Sequence, residues 1–234
     1  MFIDMHCHSV ASDDARATAE AYLKWIQVLR KNGYQVDGVV LTEHRQFHGD
    51  ADYAALAEQY GVTVLRGSEL DTRYGHVLVY GVNQSLLDAF DFSDVQMDTQ
   101  ALLREARASG AFAVPAHPGR FGVGLVEHMG RGASLDGVEV IELLNHGNRP
   151  GEGERAALMA HEMGLLGIGG SDAHFPSAVG ACLTEFLDPI ATEADLVAAL
   201  TDGRFRAVRL EDTMASGRDS DWHASQRAAR GARP

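Results

Sequence analysis

Residues 2–8 read Phe2-Ile3-Asp4-Met5-His6-Cys7-His8. A short apolar run, Phe2 to Met5, passes directly into two histidines one residue apart. Side chains alternate along an extended segment, so His6 and His8 leave the backbone on one side. Imidazole pairs of this kind are a common way to hold a transition metal. The same arrangement recurs down the chain. His44 follows Val39-Val40-Leu41-Thr42, and Glu69 follows Val62-Thr63-Val64-Leu65. His117 follows Phe112-Ala113-Val114, and Asp172 and His174 follow Leu165-Leu166-Gly167-Ile168. In α/β sheets and barrels the C-terminal ends of strands converge on the active face, so these distant residues are expected to meet. His76 instead begins a run, His76-Val77-Leu78-Val79-Tyr80, and a hairpin of residues 62–69 with 76–80 returns it beside Glu69.

Helix-like stretches separate the apolar runs. Tyr22, Trp25, Ile26 and Leu29 follow helical spacing, with Arg30 and Lys31 at the negative end of the dipole and Asn32-Gly33 closing the pattern. A short helix is expected from Tyr53 to Tyr60, one capped by Asp98 up to Gly110, and one from about Glu154 to Met163. Thr192-Glu193-Ala194-Asp195 has the form of a capping box before Leu196, Val197 and Leu200. Further strands are expected at 138–141, 183–187 and 205–210. Alternating strands and helices predict an α/β fold with a largely parallel sheet, open or closed.

The chain has 234 residues, enough for one domain, placed at 1–210 with a polar, flexible tail at 211–234. The formal charge of -13 argues against gripping long nucleic acid, although it leaves short substrates open. No run of about 18 apolar residues exists, so neither a membrane span nor a membrane partner is expected. The first ten residues, MFIDMHCHSV, lack the form of a signal peptide. Cys7 and Cys182 form no CxxC pair, so a disulfide framework is not expected and a reducing cytoplasm is. Oligomeric state is not legible. P-loop and nucleophile-elbow motifs are missing.

The candidate donors mix nitrogen and oxygen: several histidines with Asp13, Glu69 and Asp172. That mixture suits zinc, manganese or iron, whereas magnesium or calcium alone would more often take oxygen-only sets. Nine candidates exceed what one ion can use, which implies two or three divalent ions.

The motifs resemble those of the PHP (polymerase and histidinol phosphatase) family. Asp4-Met5-His6-Cys7-His8-Ser9 is similar to its first motif and Thr42-Glu43-His44 to its second, where the middle residue is commonly Asp. Ala116-His117-Pro118 resembles the third and Gly170-Ser171-Asp172-Ala173-His174 the fourth. The resemblance spans roughly residues 1 to 180, and Gly180 to Ala207 looks like the closing segment of small members. It implies a distorted (β/α)7 barrel with a trinuclear metal centre. Carried over by position, the implied ligands are His6, His8, Asp13, His44, Glu69, His76, His117, Asp172 and His174. Asp13 is preferred to Asp14 because it keeps the family spacing after His8, and the Glu69-to-His76 interval is shorter than in some members. Glu43 is expected behind the ligands and Glu69 as a bridge between ions. Arg120 and Arg45 follow His117 and His44 closely and are candidates for substrate phosphate. His146 is a cleft candidate, while His48, His128, His161 and His223 read as structural or surface residues.

The expected activity is metal-dependent hydrolysis of a small phosphomonoester, such as a sugar phosphate, a nucleotide or a histidinol-phosphate-like compound, by metal-activated water. Alternatives are a nuclease for short oligonucleotides and a non-catalytic metal-binding module. An amidohydrolase would commonly use a carboxylated lysine at a strand end, and the only lysines, Lys24 and Lys31, lie on the first predicted helix.

Overall fold

The apolar runs become strands and the amphipathic stretches become helices in a computed structural model that describes residues 1–214. The strands are β1 (Phe2–Cys7), β2 (Gly38–His44), β3 (Thr63–Thr72), β4 (Gly75–Tyr80), β5 (Phe112–Pro115), β6 (Val140–Asn145), β7 (Leu166–Gly170), β8 (Cys182–Phe186) and β9 (Phe205–Arg209). The helices are α1 (Ala19–Lys31), α2 (Ala54–Tyr60), α3 (Gln84–Ala89), α4 (Thr99–Ser109), α5 (Leu125–Gly130), α6 (Glu152–Met163) and α7 (Glu193–Asp202).

Local signals act as expected. Thr18 caps α1, which buries Tyr22, Leu23, Ile26 and Leu29. Asp98 caps α4, and Thr192 with Asp195 forms the capping box of α7. α3 and α5 were not foreseen, because each has six residues and is too short to display a helical period. β6 begins at Val140 and runs to Asn145, beyond the expected 138–141.

One sheet has the order β5-β4-β3-β2-β1-β8-β9, and β6 pairs with β7 separately. The β1–β2, β2–β3 and β6–β7 pairs are parallel. The β1–β8, β3–β4, β4–β5 and β8–β9 pairs are antiparallel, so the expectation of a largely parallel sheet is corrected to a mixed one. Only Arg73 and Tyr74 separate β3 from β4, and a two-residue link permits a hairpin but not a parallel crossover.

β1 changes neighbours along its length. Its first half pairs with β8, Phe2 opposite Glu185 and Ile3 opposite Thr184. Its second half meets the chain leaving β7: the His6 carbonyl accepts from Asp172 N (2.8 Å), and His8 N donates to the Ala173 carbonyl (2.9 Å). This exchange curls the sheet into a distorted barrel. Ile3, Met5, Val40, Leu65, Leu78, Val114, Val140, Ile168 and Phe186 fill its interior, contributed by each strand from β1 to β8. Helices cover the outside, with α1 over Phe2, Val39 and Leu41, α3 and α4 over Leu70, Val77 and Val79, and α5 and α6 over Ile141.

Past β9, Leu210–Thr213 forms a 3-10 turn, and buried Thr213 accepts a hydrogen bond from Gln35 N (3.0 Å). The remainder of the polar segment, 215–234, lies outside the described residues. Among the described residues, no helix is long and apolar enough to cross a membrane.

Candidate metal centre

A register shift in β1 builds the floor of the site. Asp4 lies opposite Val39 but Cys7 lies opposite Leu41, so β1 carries one extra residue between them. Such a bulge re-aims side chains. Met5 remains in the barrel interior, while Cys7 joins the outer cluster beneath α1. His6 and His8 both face the site, with their Nε2 atoms 3.0 Å apart, as the one-residue spacing predicted.

Glu69 is the hub. It is fully buried on β3. Its Oε1 lies 3.0 Å from His76 Nδ1 and 3.0 Å from His117 Nε2. Its Oε2 lies 2.9 Å from His44 Nδ1 and 3.3 Å from Nε2 of both His6 and His8. Asp172 Oδ1 approaches the same two Nε2 atoms at 3.5 and 3.3 Å. Three overlapping sets of donor atoms result: His6, His8, Glu69 and Asp172; His8, His44 and His174; and Glu69, His76 and His117. The hairpin expected from sequence does place His76 beside Glu69, with Asp71 as its cross-strand partner.

Asp13 does not join these sets. Its carboxylate faces outward to Arg45 Nη2 (3.2 Å). Asp14 takes the place instead, 3.1 Å from His174 Nε2 and 3.3 Å from His44 Nε2. The preference for Asp13 is thus corrected. A loop of turns between β1 and α1 carries both residues, and in a turn the count from His8 does not set which of two neighbours points inward. Partial burial works against the charge on Asp14, but His44, His174 and His8 hold its carboxyl below the usual range.

Among the described residues, three other than glycine have left-handed backbone: Arg45 (φ 54°), His117 (φ 28°) and Asp172 (φ 55°). Each lies just past a strand that feeds the site. Such conformations cost about 1–3 kcal/mol each and persist only where surrounding contacts enforce them.

A second layer of side chains holds the first. Buried Glu142 on β6 accepts from His6 Nδ1 (2.9 Å), His117 N (2.7 Å) and Asn145 Nδ2 (3.0 Å). Glu142 and Asn145 are three residues apart and could not share a face of a regular strand. A register shift in β6 between Glu142 and Leu144 allows it. Asp71 Oδ1 lies 3.3 Å from His76 Nε2. Glu43 accepts from Ser9 N and from Ser12 Oγ (2.7 Å), fastening the loop after β1. Asp4 accepts from Ser171 N and Gly180 N, tying β1 to the turn that carries Asp172. Glu142, Asp71 and Asn145 were missed in the sequence. A lone Glu inside the apolar run 140–144 was a usable signal, and Asp71 lies two residues past Glu69 and so on its face.

The donor atoms fit cations better than they fit one another. A carboxylate offers about four lone-pair directions, yet five imidazole nitrogens crowd Glu69. His44 Nδ1 and Glu69 Oε2 come within 2.9 Å without hydrogen-bond alignment, and both are buried and unpartnered, as are Nδ1 of His8 and of His117. Burial alone would raise the Glu69 carboxyl, but His6, His117 and His44 hold it well below the ordinary range. Asp172 is likewise held low, against burial, by His6 and His8. Burial lowers His117, keeping its imidazole neutral and able to ligate.

The two arginines differ. Arg120 Nη2 donates to Asp172 Oδ2 (2.7 Å) and Asn145 Oδ1 (3.3 Å), at the edge of a cleft of about 460 Å³ that also borders His174. Arg45 is paired with both Asp71 (3.3 Å) and Asp13 (3.2 Å). His146 after β6, His48 and His161 are exposed and His128 is half-buried, all outside the donor sets, while His223 lies outside the described residues.

Residues 150–205 match the family model described as PHP-associated, a segment that includes α6, β7 with the Asp172 turn, β8 and α7. A comparison with curated proteins finds no match. Among solved structures, PsfC from Pseudomonas syringae superposes with a TM-score of 0.63 at 20% identity, over 98% of this chain and 97% of that one. A two-domain protein from Bacteroides vulgatus containing a predicted PHP-like metal-dependent phosphoesterase gives 0.58 at 22%, over 90% and 65%. The lesion-specific endonuclease EndoQ from Pyrococcus furiosus gives 0.58 at 15%, over 88% and 58%. These likenesses establish the fold, and the matched segment is similar to the PHP-associated family model over residues 150–205.

Proposed function

We propose that this protein hydrolyses small phosphomonoesters with the help of two or three divalent ions, of zinc, manganese or iron. The observation that carries this reading is Glu69, a buried carboxylate ringed by five imidazoles, with Asp172 and Arg120 at the adjoining cleft. The ions would be held by His6, His8, Asp14, His44, Glu69, His76, His117, Asp172 and His174. When bound, they supply charge neutralisation for phosphate oxygens and a water of lowered pKa. Glu69 directs its two oxygens to different histidine sets, the arrangement required of a carboxylate that bridges.

The chain's own groups then orient the substrate. One nitrogen of Arg120 is used by Asp172 and Asn145, and its Nε and Nη1 make no hydrogen bond among the described residues. Those two nitrogens keep N–H groups available to donate charge-assisted hydrogen bonds to phosphate oxygens. Arg45, already shared between two carboxylates, is the lesser candidate. The charge of -13 supports a small substrate over long nucleic acid. Two buried free thiols, Cys7 and Cys182, suit a reducing compartment such as the cytoplasm.

The test is a screen of metal-loaded protein on sugar phosphates, nucleotides, histidinol phosphate and short oligonucleotides. Arg120→Ala should lower kcat/KM on the best monoester by one to two decades with metal content unchanged, since a charge-assisted contact is worth roughly 1.5–3 kcal/mol. Cleavage of oligonucleotides with no monoesterase activity would replace this reading with the nuclease one.

A further inference from the structure

The cleft beside Asp172 has a wall that phosphate chemistry leaves unused. It is built by Phe121, Val123 and Arg149. Phe121 is 53% exposed and Val123 43%, apolar surface left in water next to a polar cluster. The aromatic ring is held in place. Its backbone N–H donates to Glu152 Oε1 (2.9 Å), and the Arg155 guanidinium lies 4.7 Å from the ring centroid. Arg155 is itself fixed by Glu127 (2.7 Å) and by the Gly119 carbonyl (3.0 Å). The other oxygen of Glu152 accepts from Arg149 N (2.7 Å). One carboxylate, on a residue only 1% exposed, thus pins the backbones of both Phe121 and Arg149. The Arg149 guanidinium makes no hydrogen bond or ion pair among the described residues, in a protein where acidic groups outnumber basic ones 33 to 20.

We propose that Phe121 and Arg149 form a leaving-group subsite. It takes phosphoesters whose leaving group presents a flat apolar surface and carries an anionic substituent, with the ring against Phe121 and the anion at Arg149. This rests on the proposed function, because it seats the phosphoryl group at Asp172 and Arg120. Aromatic rings prefer offset or edge contacts with one another, and guanidinium pairs best with a planar anion.

Binding of phosphonates, which have no ester bond to cleave, separates the subsite from catalysis. Metal-loaded protein would be titrated calorimetrically with methylphosphonate, phenylphosphonate and 4-carboxyphenylphosphonate. Affinity should rise about three- to tenfold from methyl to phenyl. It should rise again, by roughly tenfold or more, on adding the carboxylate. Phe121→Ala should remove the first gain and Arg149→Ala only the second, each with methylphosphonate affinity and metal content unchanged. Equal affinity for all three compounds, no binding of any, or uniform loss in both variants would overturn the subsite. If the ranking holds but no phosphoester is hydrolysed, the subsite stands and the proposed reaction fails.

Discussion

Glu142→Gln tests whether the buried second layer sets the chemistry of the first. Glutamine keeps the shape but converts one terminal oxygen into a donor. The two oxygens of Glu142 accept from His6 Nδ1 on one side and from His117 N and Asn145 Nδ2 on the other. A backbone N–H cannot change role, so the new NH2 must face His6. That ring can then accept at Nδ1 only by moving its proton to Nε2. Nε2 is the atom lying 3.0 Å from His8, 3.3 Å from Glu69 and 3.5 Å from Asp172, so the shift blocks the nitrogen that would ligate. Loss of one charge-assisted hydrogen bond corresponds to about 1.5–3 kcal/mol. Outer partners of ligating histidines are typically worth 10–100-fold in metal affinity or activity, which is of the same size. The assay is competition for metal against chelators of graded strength, followed by elemental analysis, with far-UV circular dichroism to establish that the variant is folded. The expected result is a 10–100-fold weaker site and a comparable loss of turnover. A folded Glu142→Gln protein with wild-type metal affinity would refute the tautomer argument.

Purified protein should carry two to three divalent ions, and strong chelation should abolish phosphatase activity; metal-free protein of undiminished activity would remove the basis of the proposed function. Asp14→Asn should cut turnover at least tenfold whereas Asp13→Asn should leave it within about twofold, because only Asp14 lies against His44 and His174; the opposite ranking would restore Asp13. At Gly170 an added Cβ would lie 2.4 Å from His6 Cβ and 2.7 Å from Glu142 Oε1, so Gly170→Ala should destabilise the fold by about 1–3 kcal/mol and weaken metal binding; an unchanged melting temperature would show that the two layers have more room than their packing indicates.

The amino-acid sequence by itself made legible most of the elements and most of the meeting points. Strand-then-ligand order at His6, His44, Glu69, His117 and Asp172 was legible because hydrophobic period and residue type are local properties, and because strand ends converge in this fold class. The hairpin that returns His76 to Glu69 was legible because the few residues between the two apolar runs are too short for a parallel crossover. Tertiary structure alone decided the rest. Whether Asp13 or Asp14 faces His174 depends on how a turn sits against β7, which no spacing encodes. The bulges in β1 and β6 shift side chains by one position through pairing with β2 and β7, and without them the period of two misplaces His6 relative to Met5, and Asn145 relative to Glu142. The change of partner along β1, from β8 to the end of β7, arises between segments more than 150 residues apart. Glu142 reads locally as a charge in an apolar strand, and only the packing of β6 against the curled sheet gives it His6 and His117 to hold.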